Sequence, residues 1–264
     1  MFPLRNTTDL LYDAALALFY PQSCAVCGAS VESRFDGVTC ANCWEESRVF
    51  SDADTLCWKC GTLAPAGVES DQREQVRCRR CDEAAFTAAR ACGLYEGALR
   101  ASIIHLKRAP HISRHLTLLM SEICRHPPLN RATRIVSVPL HPEREKDRGF
   151  NQAAILAKAL SKLLQLPFDD QVLARLEHTG RHRAGMDAQA RRESVENAFV
   201  VMHPRIIAGE HILLVDDVFT TGATVSACSQ VLLAAGAEQV LVLTIARPSD
   251  NVWSKPASLR GVIY

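Results

Sequence analysis

No stretch of this 264-residue chain is apolar for long enough to cross a bilayer. A dominant charge is missing too: 30 Lys and Arg stand against 29 Asp and Glu, a formal net charge of +1. That balance removes any global charge argument for a nucleic-acid or membrane partner and leaves only local basic patches. A secretory leader is not evident. Leu10–Tyr20 (LLYDAALALFY) comes nearest, but Asp9 and Asp13 interrupt it and a basic start is lacking. We read residues 1–20 as an amphipathic helix packed on the body, and expect a cytoplasmic protein. What is present is apolar mass: 48% of residues are hydrophobic, enough for a sizeable core. The length fits one large domain with a small companion, or one extended α/β domain.

Cysteine is abundant and uneven. Eight of the eleven fall in four Cys-x-x-Cys pairs: Cys24/Cys27, Cys40/Cys43, Cys57/Cys60 and Cys78/Cys81. One such turn places two thiolates on one side of a metal, and a second turn completes a tetrahedral site. Sequential pairing predicts two sites, Cys24–Cys27–Cys40–Cys43 and Cys57–Cys60–Cys78–Cys81. A cross-braced pairing needs longer loops. Disulfides fit poorly without a secretory leader, and a redox motif explains one pair, not four. Zinc is the expected metal. Four ligands leave no open position, so both Zn²⁺ sites are expected to be structural. Gly28 and Gly61 follow the first pair of each set, where a tight turn favours glycine. Cys92, Cys124 and Cys228 sit in apolar surroundings and read as plain buried residues.

Composition divides the chain into residues 1–20, a cysteine-rich, loop-like 21–84, an α/β region 85–247 and a tail 248–264. In the α/β region, strands are expected near Ala88–Tyr95, Ile135–Pro139, Gln171–Arg175, Ala198–Met202, His211–Val215 and Gln239–Ile245. Helices are expected at Leu99–Lys107, Arg114–Arg125, Asn151–Leu166 and Thr224–Ala235. Ala153, Leu156, Ala157, Leu160, Leu163 and Leu164 line one side of the third at a 3.6-residue period. Strand, helix and strand between Ile212 and Ile245, with Gly236 stopping the helix, form a βαβ unit. The sheet is therefore at least partly parallel.

Residues 212–224, ILLVDDVFTTGAT, carry the chemistry. In an open α/β sheet, ligands sit beyond the carboxyl ends of the strands. Asp216 and Asp217 stand there, and Thr220, Thr221, Gly222, Ala223 and Thr224 open the next helix. Unsatisfied N–H groups and the helix dipole favour an anion at that start. Gly222 allows close approach, and the hydroxyls add donors. No Gly-Lys-Ser/Thr is present, which excludes a nucleoside-triphosphate P-loop. Carboxylates suit vicinal sugar hydroxyls or Mg²⁺. A ribose 5-phosphate satisfies both halves.

This stretch resembles the phosphoribosyl pyrophosphate (PRPP) signature of type I phosphoribosyltransferases. Val138-Pro-Leu-His-Pro142, Arg148-Gly-Phe-Asn-Gln152, Tyr95–Arg100 with Leu106-Lys107, the zinc-ribbon start and Ala246-Arg247 narrow the likeness to the ComF (competence protein F) family, from about Pro21 to Arg247. The resemblance implies a double zinc ribbon ahead of a phosphoribosyltransferase-like parallel sheet flanked by helices. It implies PRPP with Mg²⁺ as ligand and Asp216 and Asp217 as the catalytic pair. Pro139, Leu140, His141 and Pro142 would cradle pyrophosphate through the N–H groups of Leu140, His141 and Glu143. Arg144, Lys146, Arg148, Asn151 and Gln152 would balance its charge. Lys107 is a further phosphate contact or a cation at a helix end. Arg175–Arg183 would be the loop that closes over the site, and carries Thr179-Gly-Arg-His-Arg183 where ComF proteins have Thr-x-x-Gln. His141 or His182 could move a proton. The reaction implied is transfer of the phosphoribosyl group to an acceptor. The alternative is a non-enzymatic accessory protein of DNA uptake in competence, meeting single-stranded DNA or a competence-machinery protein through the ribbons, with Arg77, Arg79 and Arg80 as contacts.

Overall fold

The computed structural model describes residues 21–64, 75–78, 81–176 and 198–249. The expected N-terminal helix, Arg79, Arg80, the closing loop from residue 177 onward and most of the tail lie outside them.

The long apolar runs form a four-stranded parallel sheet. β1 (Ala88–Leu94), β2 (Arg134–Ser137), β5 (His211–Val218) and β6 (Gln239–Arg247) stand in the order β1-β6-β5-β2. Runs such as Ile212–Val215 are buried on both faces, as a covered parallel sheet requires. β3 (Leu173–Arg175) and β4 (Phe199–Val201) make a separate antiparallel pair.

Helices cover both faces. On one lie α2 (Gly97–Leu106), α3 (Arg114–Arg125) and α5 (Gln152–Leu164), with Leu99, Met120, Leu156 and Leu160 meeting Leu213, Val215 and Leu243 in one core cluster. On the other lie α7 (Ala223–Ala234), the short α6 (Pro204–Ile207) and the β3–β4 pair, which share a core with Ile212, Leu214 and Val242. α3 and α5 start where side chains cap them. Ser113 Oγ accepts the Leu116 N–H at 3.2 Å, and Asn151 Oδ1 accepts the Ala153 N–H at 3.0 Å. α7 stops at Gly236, whose φ of +103° is left-handed.

Several expectations change. Leu163 of α5 is 40% exposed, so the apolar stripe is narrower than its periodicity indicated. The cysteine-rich region contains a short helix, α1 (Ala41–Glu45), which buries Cys43 and Trp44. Residues 142–148 form α4, an unexpected helix. Pro142 at its first position needs no partner for an N–H, and left-handed Gly149 ends it. β5 and β6 run past their expected ends, to Val218 and Arg247, because cross-strand pairing continues through Asp216↔Thr244 and Val218↔Ala246.

Candidate functional site

The parallel strands all end on one edge of the sheet, and the candidate residues gather there. Val138 N–H donates to Val215 O at 2.9 Å, and Phe219 N–H to Ala246 O at 2.9 Å. The first bond holds the β2 loop beside β5, and the second holds the β5 loop against β6.

Extension of β5 changes the reading of the acid pair. Consecutive strand residues point to opposite faces. Asp217 is buried and meets Lys107 Nζ from the end of α2 at 2.9 Å through Oδ2, its close partner. Asp216 turns toward α7, where its charge acts on Cys228. Asp216 Oδ1 also accepts the Asp217 N–H at 2.8 Å. Burial, then the Asp217 charge, push the Asp216 carboxyl well above its ordinary range, although Lys107 opposes this. The two acids thus differ: Asp217 is paired with a lysine, whereas Asp216 is buried beside another carboxylate.

Beyond them, Gly222 caps α7 in the left-handed conformation, with φ +81°. The backbone turns there so that Thr220, Thr221 and Ala223 face outward while Gly222 is buried. A Cβ on Gly222 would lie 2.7 Å from the Phe219 ring. Thr221 Oγ1 accepts the Ala223 N–H at 3.3 Å, and Thr224 is half-buried in the first turn of a twelve-residue helix. Backbone amides at such a start favour an anion.

The β2 loop differs from expectation. His141 caps α4, its Nδ1 accepting the Glu143 N–H at 3.3 Å, so that amide is already engaged. With Pro139 and Pro142 lacking N–H groups, Leu140 and His141 supply the free ones. Arg144, Lys146 and Arg148 alternate with Glu143, Glu145 and Asp147, so α4 is charge-balanced rather than a basic cluster. Arg144 is exposed, and Arg148 donates to Gln152 Oε1. Asn151 Nδ2 donates to Val138 O at 3.0 Å. Asn151 and Gln152 therefore hold the loop to α5. Beside Leu140, a cleft of about 600 Å³ opens between α5 and the β3–β4 pair, with Phe150, Phe168 and Arg175 in its wall.

The eight cysteines form the two sequential clusters. In each, all four sulfurs lie within 4.8 Å of one another. Sulfur separations of 3.7 Å for Cys24–Cys43, Cys27–Cys40 and Cys57–Cys81 match a tetrahedron of about 2.3 Å metal–sulfur bonds. Gly28 and Gly61, at φ +78° and +69°, make the tight turns. Burial would raise the Cys24 thiol, but N–H donors around the sulfur, from Cys27, Cys40 and Val26, lower it to about 6. Such a donor set fits Zn²⁺ in a closed, structural role, with no position left for a reacting ligand.

The second cluster touches the candidate site. Cys60, Cys78 and Cys81 share a cleft of about 40 Å³ with Thr220, Thr221, Phe219 and Arg247. Arg247 ends β6, is only 3% exposed and donates from Nη1 to Cys60 O at 2.7 Å. Its guanidinium lies 5.3 Å from the centre of the Phe219 ring. Sequence reasoning gave Arg247 and Phe219 no role. The available signal was an arginine closing an otherwise apolar strand, VLVLTIAR.

Comparison with known proteins agrees with this architecture. Residues 15–82 match the double zinc ribbon domain family, and residues 146–256 match the phosphoribosyl transferase domain family. β1 and β2 therefore precede the second match yet belong to its sheet. The DNA utilization protein YhgH of Escherichia coli O157:H7 is 32% identical over 238 residues, 87% of this chain and 99% of that one. Competence protein F of Haemophilus influenzae is 34% identical over 137 residues, 52% of this chain and 59% of that one. A glutamine PRPP amidotransferase from B. subtilis superposes over 56% of this chain and 26% of that chain, at 17% identity and a TM-score of 0.35, too loosely to bear on function. With two Cys₄ clusters, a phosphoribosyltransferase-like sheet and a 32% identical relative spanning nearly both chains, this chain belongs to the competence protein F (ComF) family.

Proposed function

We propose that the carboxyl edge of the sheet binds PRPP with Mg²⁺ and transfers its phosphoribosyl group to an acceptor. The observation that carries this is the run from β5 into α7. Two adjacent carboxylates lead directly to a left-handed glycine that opens a long helix. The 5-phosphate would lie on the amides of Thr220–Thr224. The ribose hydroxyls would meet Asp216 and Asp217, and the pyrophosphate the N–H groups of Leu140 and His141. Lys107 orients Asp217 through their 2.9 Å contact. Mg²⁺, when bound, supplies charge neutralisation for the pyrophosphate. Asp216, buried beside a second carboxylate, would help to hold that ion.

The chemistry is displacement at the ribose C1. The bond to pyrophosphate breaks with its electron pair leaving on oxygen, a bond to the acceptor forms, and the acceptor's proton passes to solvent. The chain's share is positioning and charge stabilisation. No side chain is needed as a covalent nucleophile.

The relatives' names bring DNA utilization and competence to this chain as the process this binding would serve. Of the arginines a direct DNA surface on the ribbons would use, Arg77 donates to Val76 O at 3.2 Å.

Calorimetric titration with PRPP and Mg²⁺ tests the reading. Binding should weaken at least about tenfold in Asp216→Asn and in Asp217→Asn, each tenfold being about 1.4 kcal/mol. Absence of PRPP binding by the wild type, or unchanged affinity in both variants, would falsify it. Pyrophosphate release with a panel of amines and bases then tests turnover.

A further inference from the structure

We infer that the second cysteine cluster is a positioning element for the phosphate loop, acting through Arg247, whereas the first cluster is not. Two independent tethers run from the second ribbon to the start of α7. The first is Cys60 O to Arg247 Nη1 at 2.7 Å, Arg247 over Phe219, and Phe219 beneath Gly222. Phe86 meets the Phe219 ring edge-on at 5.8 Å as a further contact. The second starts three residues beyond Cys81, where Ala84 N–H donates to Cys81 O at 3.1 Å. Ala85 N–H then donates to Ser226 Oγ, in the first turn of α7, at 3.0 Å.

Charge supplies the coupling. A divalent metal held by four thiolates carries more negative than positive charge, and here all four cysteines are buried. Buried or half-buried arginines stand beside the cluster. Arg247 holds the Cys60 carbonyl, and Arg90 Nη1 holds Trp58 O at 2.9 Å. A loaded cluster favours Arg247 in place. An empty one would lose that order and loosen the Cys60–Arg247–Phe219 contacts. The first cluster has no such link among the described residues. Its core is Cys24, Val31 and Cys43, Trp44 packs into the α2–α3 layer, and the chain just after it pairs with β1 through Val49↔Gly93.

Amide hydrogen exchange on the full chain tests this, with zinc content measured alongside. Arg247→Gln keeps every metal ligand and should retain two zinc ions per chain. Its Gly222–Cys228 amides should exchange at least about tenfold faster, with α3 amides unchanged, since only the local opening equilibrium moves. Arg247→Lys should recover part of the protection. Cys27→Ser, which empties the first cluster, should leave the loop within about twofold of wild type. Unchanged loop exchange in Arg247→Gln, or equal acceleration everywhere, overturns the inference, as does loop acceleration in Cys27→Ser. If Arg247→Gln does not fold, Ser226→Ala cuts the other tether, and its loop amides should exchange about threefold faster. Unchanged rates there overturn the inference equally. A matching loss of PRPP affinity in Arg247→Gln rests on the proposed function. Absent wild-type binding would sink that reading while the exchange data still decide this one.

Discussion

The two zinc ribbons share a ligand pattern and differ in their surroundings. In the first, Cys27 is exposed and Cys40 half-exposed, and the ribbon's own core is three residues with Cys40 against it. In the second, all four cysteines are buried inside the larger core, with Phe86, Val138, Ile212 and Phe219. The first ribbon is an attached module. Trp44 plugs it into the α2–α3 layer by stacking on His115 at 4.2 Å, while its Nε1 donates within the ribbon to Asp36 O at 2.9 Å. Ser47 Oγ adds a tether by accepting the Ala98 N–H at 2.8 Å. The second ribbon is a wall of the main domain. One motif can thus be peripheral or integral, according to whether its metal sits in its own small core or the domain's.

The largest effect that would break this contrast is metal loss. Cys57→Ser should abolish the cooperative melt of the whole chain. A structural zinc contributes on the order of 10 kcal/mol, comparable to a domain's entire stability. Cys27→Ser should lose one zinc ion yet keep a cooperative transition. Circular dichroism with zinc analysis reads both, and equal collapse would show the ribbons to be equivalent.

Next is the anchor. Trp44→Ala should cost about 3–5 kcal/mol, as for large aromatic truncations in a core. Denaturant melts should show it with both zinc ions retained. A cost below about 1 kcal/mol would mean that metal, not the indole, fixes the first ribbon.

Gly222→Ala probes the second ribbon's side of the site. A left-handed backbone with a Cβ only 2.7 Å from the Phe219 ring should cost about 1–3 kcal/mol. PRPP affinity should fall with it.

The last effect is a change of slope. Asp217 faces the layer that carries the first ribbon, and Asp216 faces α7, which the second ribbon braces. The folded Asp216 carboxyl titrates above its unfolded value. The folded state therefore holds the proton longer, and this group's contribution is most favourable below the unfolded value. It is lost as pH rises through the folded one. Without Mg²⁺, stability should decline over that window, and Asp216→Asn should flatten the decline. Urea melts from pH 4 to 8 would show it, and a slope that survives the substitution would assign it elsewhere.

The fold was legible where local pattern and burial agree. The apolar runs at Ile212–Val215 and Gln239–Ile245 are strands, and Asn151 and Gly236 bound their helices as their side chains or lack of one dictate. The cysteine pairing was legible because each ligand set is local. α4 was missed because its alternating charges and absent apolar face give no periodic signal; it forms between a capping His141 and a stopping Gly149. α1 was hidden inside a metal-binding loop.

At the site, residue types and order were readable; their partners were not. The sequence alone determined that acids, hydroxyls and a glycine follow a buried strand, and that eight cysteines make two closed metal sites. Those are consequences of periodicity and spacing along the chain. Only the tertiary structure decided that Asp217 pairs with Lys107, that His141 consumes the Glu143 amide, and that Arg247 joins Cys60 to the end of β6 across 187 positions. Such long-range pairs depend on which faces the sheet brings together, and no local signal encodes them.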